Sequence, residues 1–266
     1  MKLSFSNIAL KRNFDYLLNF LVKHDCAGVE LAPDLVISEP TKTTLVQRKE
    51  ILSKIKKKKL TVTGLHSLLF EKNECQLFSD KTSRINLINY LKNIMIFCAD
   101  LEGNQVVYGS PKSRKLFNIN YREATNISLD VFNELSEFGK KINVYFCIEP
   151  LDKIECDFLN TYNEAIELAK KVNSDYFKIN FDTKTFFYSK ENLKTFDKDF
   201  EFFQHFQISD ENLKPIYLTE NNHSEINYFL SRNKYDNFIS IEMVDTGNEK
   251  DLVNSINFVK NTYDLK

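Results

Sequence analysis

Three stretches, VYFCIEP (Val144–Pro150), YFKINFD (Tyr176–Asp182) and FISIEM (Phe238–Met243), share one pattern. Each is a short run rich in aromatic and β-branched residues that ends on or just before a carboxylate: Glu149, Asp182 and Glu242. Such composition favours a strand over a helix. A buried strand should stay apolar to its tip, because an ionised carboxylate taken out of water is unfavourable by several kcal/mol, on the order of the penalty for any unpaired buried ion. Three acids at three strand tips therefore point to a shared partner, either a metal ion or a polyhydroxylated ligand.

Outward from these stretches, strand-like and helix-like segments alternate along the whole chain. The predicted strands are Leu3–Ile8, Gly28–Ala32, Leu60–Ser67, Gln105–Tyr108, Val144–Glu149, Tyr176–Asp182, Phe203–Ile208 and Phe238–Met243. The predicted helices are Asn13–His24, Lys42–Lys58, Ser83–Leu101, Tyr121–Lys140, Thr161–Val172, a weak one at Glu191–Phe196, His223–Arg232 and Lys250–Tyr263. In the third, Leu87, Ile88, Leu91, Ile94, Met95 and Cys98 recur at three- and four-residue spacings and so share one helix face. The strands read as apolar runs without strict alternation, as parallel strands covered on both faces do. This order predicts an α/β fold, a (β/α)8 TIM barrel in a single domain over 1–266. A doubly wound open sheet usually announces itself with a glycine-rich first turn, and this chain has six glycines and no GxGxxG. The irregular stretches 70–82, 110–120 and 210–222 all follow predicted strands, which places them at the C-terminal mouth where barrels carry their active sites.

Bulk properties narrow the function classes. The chain has 266 residues, 42% hydrophobic and 27% charged, with a formal net charge of −1. Near-neutrality predicts no nucleic-acid partner, and the basic run Lys54–Lys59 reads as a solvated helix end. Five cysteines, with no CxxC spacing, read as reduced thiols. No apolar run nears the ~18 residues of a membrane span, and the N-terminal residues lack a signal-peptide core. The expectation is a cytoplasmic protein with no membrane partner.

All strand C-termini of a parallel barrel point to one mouth. In HFQIS (His205–Ser209), His205 and Gln207 lie on one face, with His205 the deeper of the two. Glu149, Asp182, Gln207 and Glu242 would then surround one point as a hard-oxygen set suited to Mg²⁺ or Mn²⁺. Asn7 and Glu30 would also point toward the mouth. Glu30 is either a further acid candidate or half of a barrel ion pair.

With these motifs in view, the chain resembles the sugar phosphate isomerase/epimerase family of xylose isomerase-like TIM barrels. The resemblance runs almost end to end through LSFSNIAL (3–10), GVELAP (28–33), VVYGSPKSR (106–114), IEP (148–150), NFD (180–182), HFQIS (205–209) and SIEM (240–243). It implies metal ligands at Glu149, Asp182 and Glu242, with the fourth at Gln207, where the family usually has the second His of an H-x-H pair. Gln is a weaker, neutral donor, so the substitution argues for weakened binding of Mn, Mg, Co or Zn. A second departure is Thr185, where many members have His. The subset with Thr there, and with a stretch like ISDENL (208–213), suggests surface-polysaccharide or unusual-sugar metabolism. No organic cofactor is implied. The expected partners are a small-molecule carbohydrate and a second copy of the chain in a homodimer.

The chemistry implied is isomerisation or epimerisation next to a carbonyl, with Glu149 and Glu242 as the acid/base pair on opposite sides of the substrate. Substrate-binding candidates are Asn7, Glu30, His66 (in TGLHS), Lys112 and Arg114 (in SPKSR, for a phosphate or carboxylate) and His223, which resembles a His opening a late helix of the family. Three alternatives were weighed. The same residues would serve a lyase that dehydrates a sugar acid. Phosphodiester cleavage, as in the endonuclease IV branch, needs more histidines than the four present. A barrel without its metal would serve as a sugar-binding or scaffold subunit.

Overall fold

The computed structural model describes residues 1–266. Eight parallel strands follow one another around a closed barrel: β1 (Lys2–Ser6), β2 (Gly28–Leu31), β3 (Thr61–Leu65), β4 (Gln105–Tyr108), β5 (Tyr145–Ile148), β6 (Phe177–Asp182), β7 (Phe203–Ile208) and β8 (Phe238–Ile241). Closure is made where β8 returns to β1, pairing Lys2 with Phe238, Leu3 with Ile239, Ser4 with Ser240 and Phe5 with Ile241. Around the strands lie α1 (Phe14–Lys23), α2 (Leu45–Lys57), α3 (Lys81–Asp100), α4 (Tyr121–Ile142), α5 (Tyr162–Val172), α6 (Thr183–Ser189), α7 (His223–Arg232) and α8 (Glu249–Thr262). The (β/α)8 architecture is the one the alternation predicts. No helix is long and apolar enough to cross a membrane.

Local chemistry sets the helix starts. Thr44, Asn120 and Thr161 form reciprocal capping boxes with Gln47, Glu123 and Glu164. Asp80 caps α3 and Asp182 caps α6. Two of the boundaries that differ from the sequence reading change an element's character. The first strand stops at Ser6, whose hydroxyl accepts from the Ile8 amide, and Asn7–Ala9 turn into a 3-10 helix. The weak helix placed at Glu191–Phe196 is instead two pieces. α6 begins directly after Asp182, and a 3-10 segment covers Leu193–Phe202. The N-cap carboxylate starts that helix earlier than hydrophobic periodicity indicates.

The layering departs from the expected uniform apolar strands. Outward residues such as Phe5, Val29, Phe146, Ile179, Phe181, Phe206 and Ile241 join a core of 64 buried hydrophobic residues between barrel and helices. The barrel lumen is polar. Ser4 of β1 bonds Thr63 of β3 at 3.0 Å, and Glu30 of β2 bonds His205 and Gln207 of β7. Side chains of non-neighbouring strands can meet only through the lumen, so β6 and β7 do alternate, with polar residues inside. The pairing register shifts once at Val29/Glu30 and once at Ile179/Asn180, next to two of these polar residues.

Gly139 in α4 gives a test of how tightly helix and barrel mesh. A Cβ there would overlap the Val144 carbonyl oxygen and press on the Met95 methyl. In an open helix Gly→Ala stabilises by about 1 kcal/mol. Here Gly139→Ala should instead destabilise by roughly 1–3 kcal/mol, the range for overpacking, seen as a lower urea midpoint. A raised midpoint would refute the close contact.

Candidate active site

At the C-terminal mouth lies a cavity of about 420 Å³, within the size range of small-molecule sites. Glu149, Asp182 and Glu242 all line it, together with His66, Lys112 and Lys184. Each is carried by a strand tip or by the first residues beyond one. Glu149 follows β5 and lies against Gly109, where a Cβ would overlap its Oε2. Asp182 ends β6, and its backbone is clamped by Tyr162, whose hydroxyl donates to the Asp182 carbonyl at 2.7 Å and accepts from its amide at 2.9 Å. The Ser209 hydroxyl lies 2.7 and 2.8 Å from the two Asp182 carboxylate oxygens and donates to them. His66 follows β3. Its Nδ1 is 3.1 Å from Glu242 Oε1, and its Nε2 is 2.6 Å from the Ser6 hydroxyl.

Below the mouth, Glu30 has no exposure. Its Oε1 accepts from His205 Nε2 at 3.0 Å and from Gln207 Nε2 at 3.1 Å. The Gln207 carbonyl oxygen in turn accepts from the Asn180 amide. Of the two readings open for Glu30, the structure shows the barrel ion pair.

These contacts set the charge states. Burial alone would raise Glu30, but the charges of His205 and His66 and the His205 hydrogen bond outweigh it and bring its carboxyl down to about 2. Burial lowers His66, while Glu30 and Glu242 pull harder the other way and leave it at about 9, so the ring is an imidazolium at neutral pH. Glu149 is pushed well above the usual carboxylate range, first by burial and then by the charges of Asp182 and Glu242. Asp182 is raised to about 6 by burial, with Lys184 and Ser209 opposing and Glu242 adding. Lys184 is raised because Asp182, Glu155 and Glu149 outweigh its own burial.

Several sequence-based candidates fall elsewhere. Asn7 is a backbone clamp: its Oδ1 accepts from the Ala32 amide at 2.7 Å and its Nδ2 donates to the Ala32 carbonyl at 3.2 Å. Arg114 is fully buried, its guanidinium 5.8 Å from the centre of the Tyr108 ring, and it does not line the cavity. The 3-10 turn Pro111–Arg114 turns Lys112 to the mouth and Arg114 inward. His223 is buried against α8, its Nδ1 2.7 Å from the Tyr263 hydroxyl, and burial lowers it to about 4. Lys184, Glu155 and Ser209 are the mouth residues that the sequence reading passes over. Ser209 was available from the strand phase, being two residues beyond Gln207. Lys184 was hidden because residues 183–190 read as a loop, although Asp182 and Thr185 have the N-cap and N3 spacing of a helix start.

The four expected metal donors can be compared with this geometry. Gln207 does not reach the cavity, because both ends of its amide are bonded inside the lumen. Glu242 is held by His66 and Asp182 by Ser209, and no three His, Cys, Asp or Glu side chains converge as a metal site. The donor set therefore does not fit a divalent ion as arranged. Gln207 is lost to the set because an amide, having both a donor and an acceptor, bridges Glu30 and Asn180.

Residues 18–262 match the family model described as the xylose isomerase-like TIM barrel, and the chain belongs to that family. No curated protein matches it by sequence. Among solved structures it is similar to the D-psicose 3-epimerase of Clostridium cellulolyticum H10 (16% identity, 98% of this chain and 99% of that one, TM-score 0.82). It is similar to a 3-keto-D-glucoside 4-epimerase from E. coli (14% identity, 98% and 99%, TM-score 0.80). A third, the IOLI protein with a bound zinc atom, is 20% identical over 98% and 96%, with TM-score 0.77. At these identities the likeness is one of fold.

The charge states make stability pH-dependent. The folded pKa of His66, about 9, lies above its unfolded value of 6.5, so its stabilisation is complete below 6.5 and is lost as pH rises through 9. The raised folded pKa of Glu149 acts in the same direction, adding a penalty as pH climbs above the ordinary carboxylate range. The melting temperature should fall from pH 6.5 to pH 9.5, less steeply in His66→Gln. Glu149→Gln should raise it at pH 8 by about 2 °C or more per kcal/mol regained, and leave it unchanged at pH 4. Equal shifts at both pH values would contradict the assignment.

Proposed function

We propose that the chain is a carbohydrate epimerase or isomerase that moves a proton at the carbon next to a carbonyl. Its substrate would be a small ketose or ketose phosphate, and Glu149 and Glu242 its acid–base pair. The observation that carries the reading is the unlike setting of two glutamates on one cavity. Glu149 is kept protonated by burial and by neighbouring carboxylates. Glu242 has a different neighbour: its Oε1 lies 3.1 Å from Nδ1 of the His66 imidazolium. Two carboxyl groups on one cavity in settings this different suit the roles of acid and base.

In this mechanism the Glu242 carboxylate takes the proton from carbon. The C–H electron pair moves into the carbonyl and forms an enediolate. Glu149 returns a proton from the far side, since β5 and β8 lie across the mouth with β6 and β7 between them. Afterwards Glu149 is the base and Glu242 the acid, so the same pair runs the reverse reaction. His66 holds Glu242 Oε1 in place beside the cavity. Lys112, also on the cavity wall, is placed to receive a phosphate or carboxylate of the substrate. The sugar epimerases among the similar structures support the same reaction class. A barrel that only bound sugar would have no need of two glutamates in such unlike settings on one cavity.

The test is epimer formation from a panel of ketoses and ketose phosphates, followed by NMR in deuterated water. Glu149→Gln and Glu242→Gln should each reduce turnover by about 10²–10⁴-fold, the range for a lost general acid or base. Either variant turning over at the native rate, or a native chain inactive on the whole panel, would defeat the proposal.

A further inference from the structure

We infer that Lys184 supplies the fixed cation of this site, so that the chain's own ammonium group serves where the family resemblance led to the expectation of a divalent metal ion. The inference rests on the proton-transfer reading above. Lys184 is the second residue of α6, two positions after Asp182. A helix N-terminus disfavours a cation, so this lysine gains nothing from its own helix. Its side chain nevertheless turns onto the cavity, with only 13% of its surface exposed. Nζ lies 3.0 and 3.1 Å from the two Glu155 oxygens and within the field of Asp182 and Glu149.

The other side chains around it are already committed. The Asp182 oxygens accept from Ser209, the Glu242 Oε1 faces His66, and the Gln207 amide is used at both ends. A divalent ion would have to break several of these contacts and also expel the ammonium. An ammonium group has three N–H donors. Glu155 takes two, and the third is left for a ligand in the cavity. In the proposed reaction that ligand is the substrate oxygen on which charge builds when the proton leaves carbon. A preorganised cationic donor is what stabilises an enediolate there. Lys184 donates a hydrogen bond and is not deprotonated, so the step balances with the two glutamates alone.

Calorimetric titration of the chelator-treated native chain with Mn²⁺ and with Zn²⁺ tests this without any substrate. No stoichiometric binding below about 1 mM is expected, whereas Lys184→Met combined with Gln207→His should gain it. On a turned-over ketose, chelator should leave the native rate unchanged. Lys184→Met and Lys184→Gln should lower kcat by about 10²–10³-fold, as for a lost oxyanion donor, with a smaller change in KM and partial recovery in Lys184→Arg. Stoichiometric metal on the native chain, abolished by Asp182→Ala, would overturn the inference, as would native kcat in both the Met and Gln variants. Because the titration needs no turnover, it decides whether the native site takes a divalent ion even if every ketose fails, an outcome that would count against the proposed function instead.

Discussion

The site is organised around one carboxylate that never meets solvent. Glu30 sits in the lumen with no exposure and is held from across the barrel by His205 and Gln207. Such a charge is tolerable only with partners in good geometry, and removing one partner is destabilising by about 3–5 kcal/mol in comparable buried pairs. That demand fixes the phase of β2 against β7. A slip of one residue would turn Phe206 into the lumen and His205 and Gln207 into the apolar layer. The same carboxylate helps to charge His66, which aligns Glu242, while Gln207 carries the connection on to Asn180. The mouth thus inherits its geometry from the lumen below it.

The lumen and the mouth use charge in different ways. In the lumen Glu30 Oε1 has two donors, His205 and Gln207, which favours the folded state. At the mouth Glu149, Asp182 and Glu242 share one cavity, and mutual repulsion adds to burial in keeping Glu149 protonated. Such an arrangement works against folding, the usual opposition between stability and a site of crowded charge.

The barrel was legible in the sequence because eight apolar runs alternate with helical periodicity, and because carboxylates at strand tips stand out against apolar neighbours. Glu149, Asp182 and Glu242 reach the cavity from that reasoning alone, and His66, named through the family resemblance, reaches it too. Arg114 and Gln207 did not follow, because their roles depend on tertiary partners. Nothing local tells that Arg114 turns inward over Tyr108, or that both ends of the Gln207 amide are taken by Glu30 and Asn180. Lys184 was missed through a boundary: a seven-residue helix has too little periodicity to be seen, and its start is written only in the capping side chain of Asp182.

The mouth is built asymmetrically. On one side Asp182 passes straight into α6 with no loop, and Ser209 and Tyr162 hold it. On the other, residues 66–80 and 109–120 form long connections between β3 and α3 and between β4 and α4. Those connections carry Phe70, Lys72, Gln76 and Lys112 to the cavity wall. Of the three mouth carboxylates only Asp182 is tied directly to a helix; Glu149 and Glu242 open connections of their own. Insertions or exchanges in the β3–α3 and β4–α4 connections would reshape what the cavity admits and leave the Asp182 wall intact, so chains with this layout can diverge in what they bind while keeping one barrel.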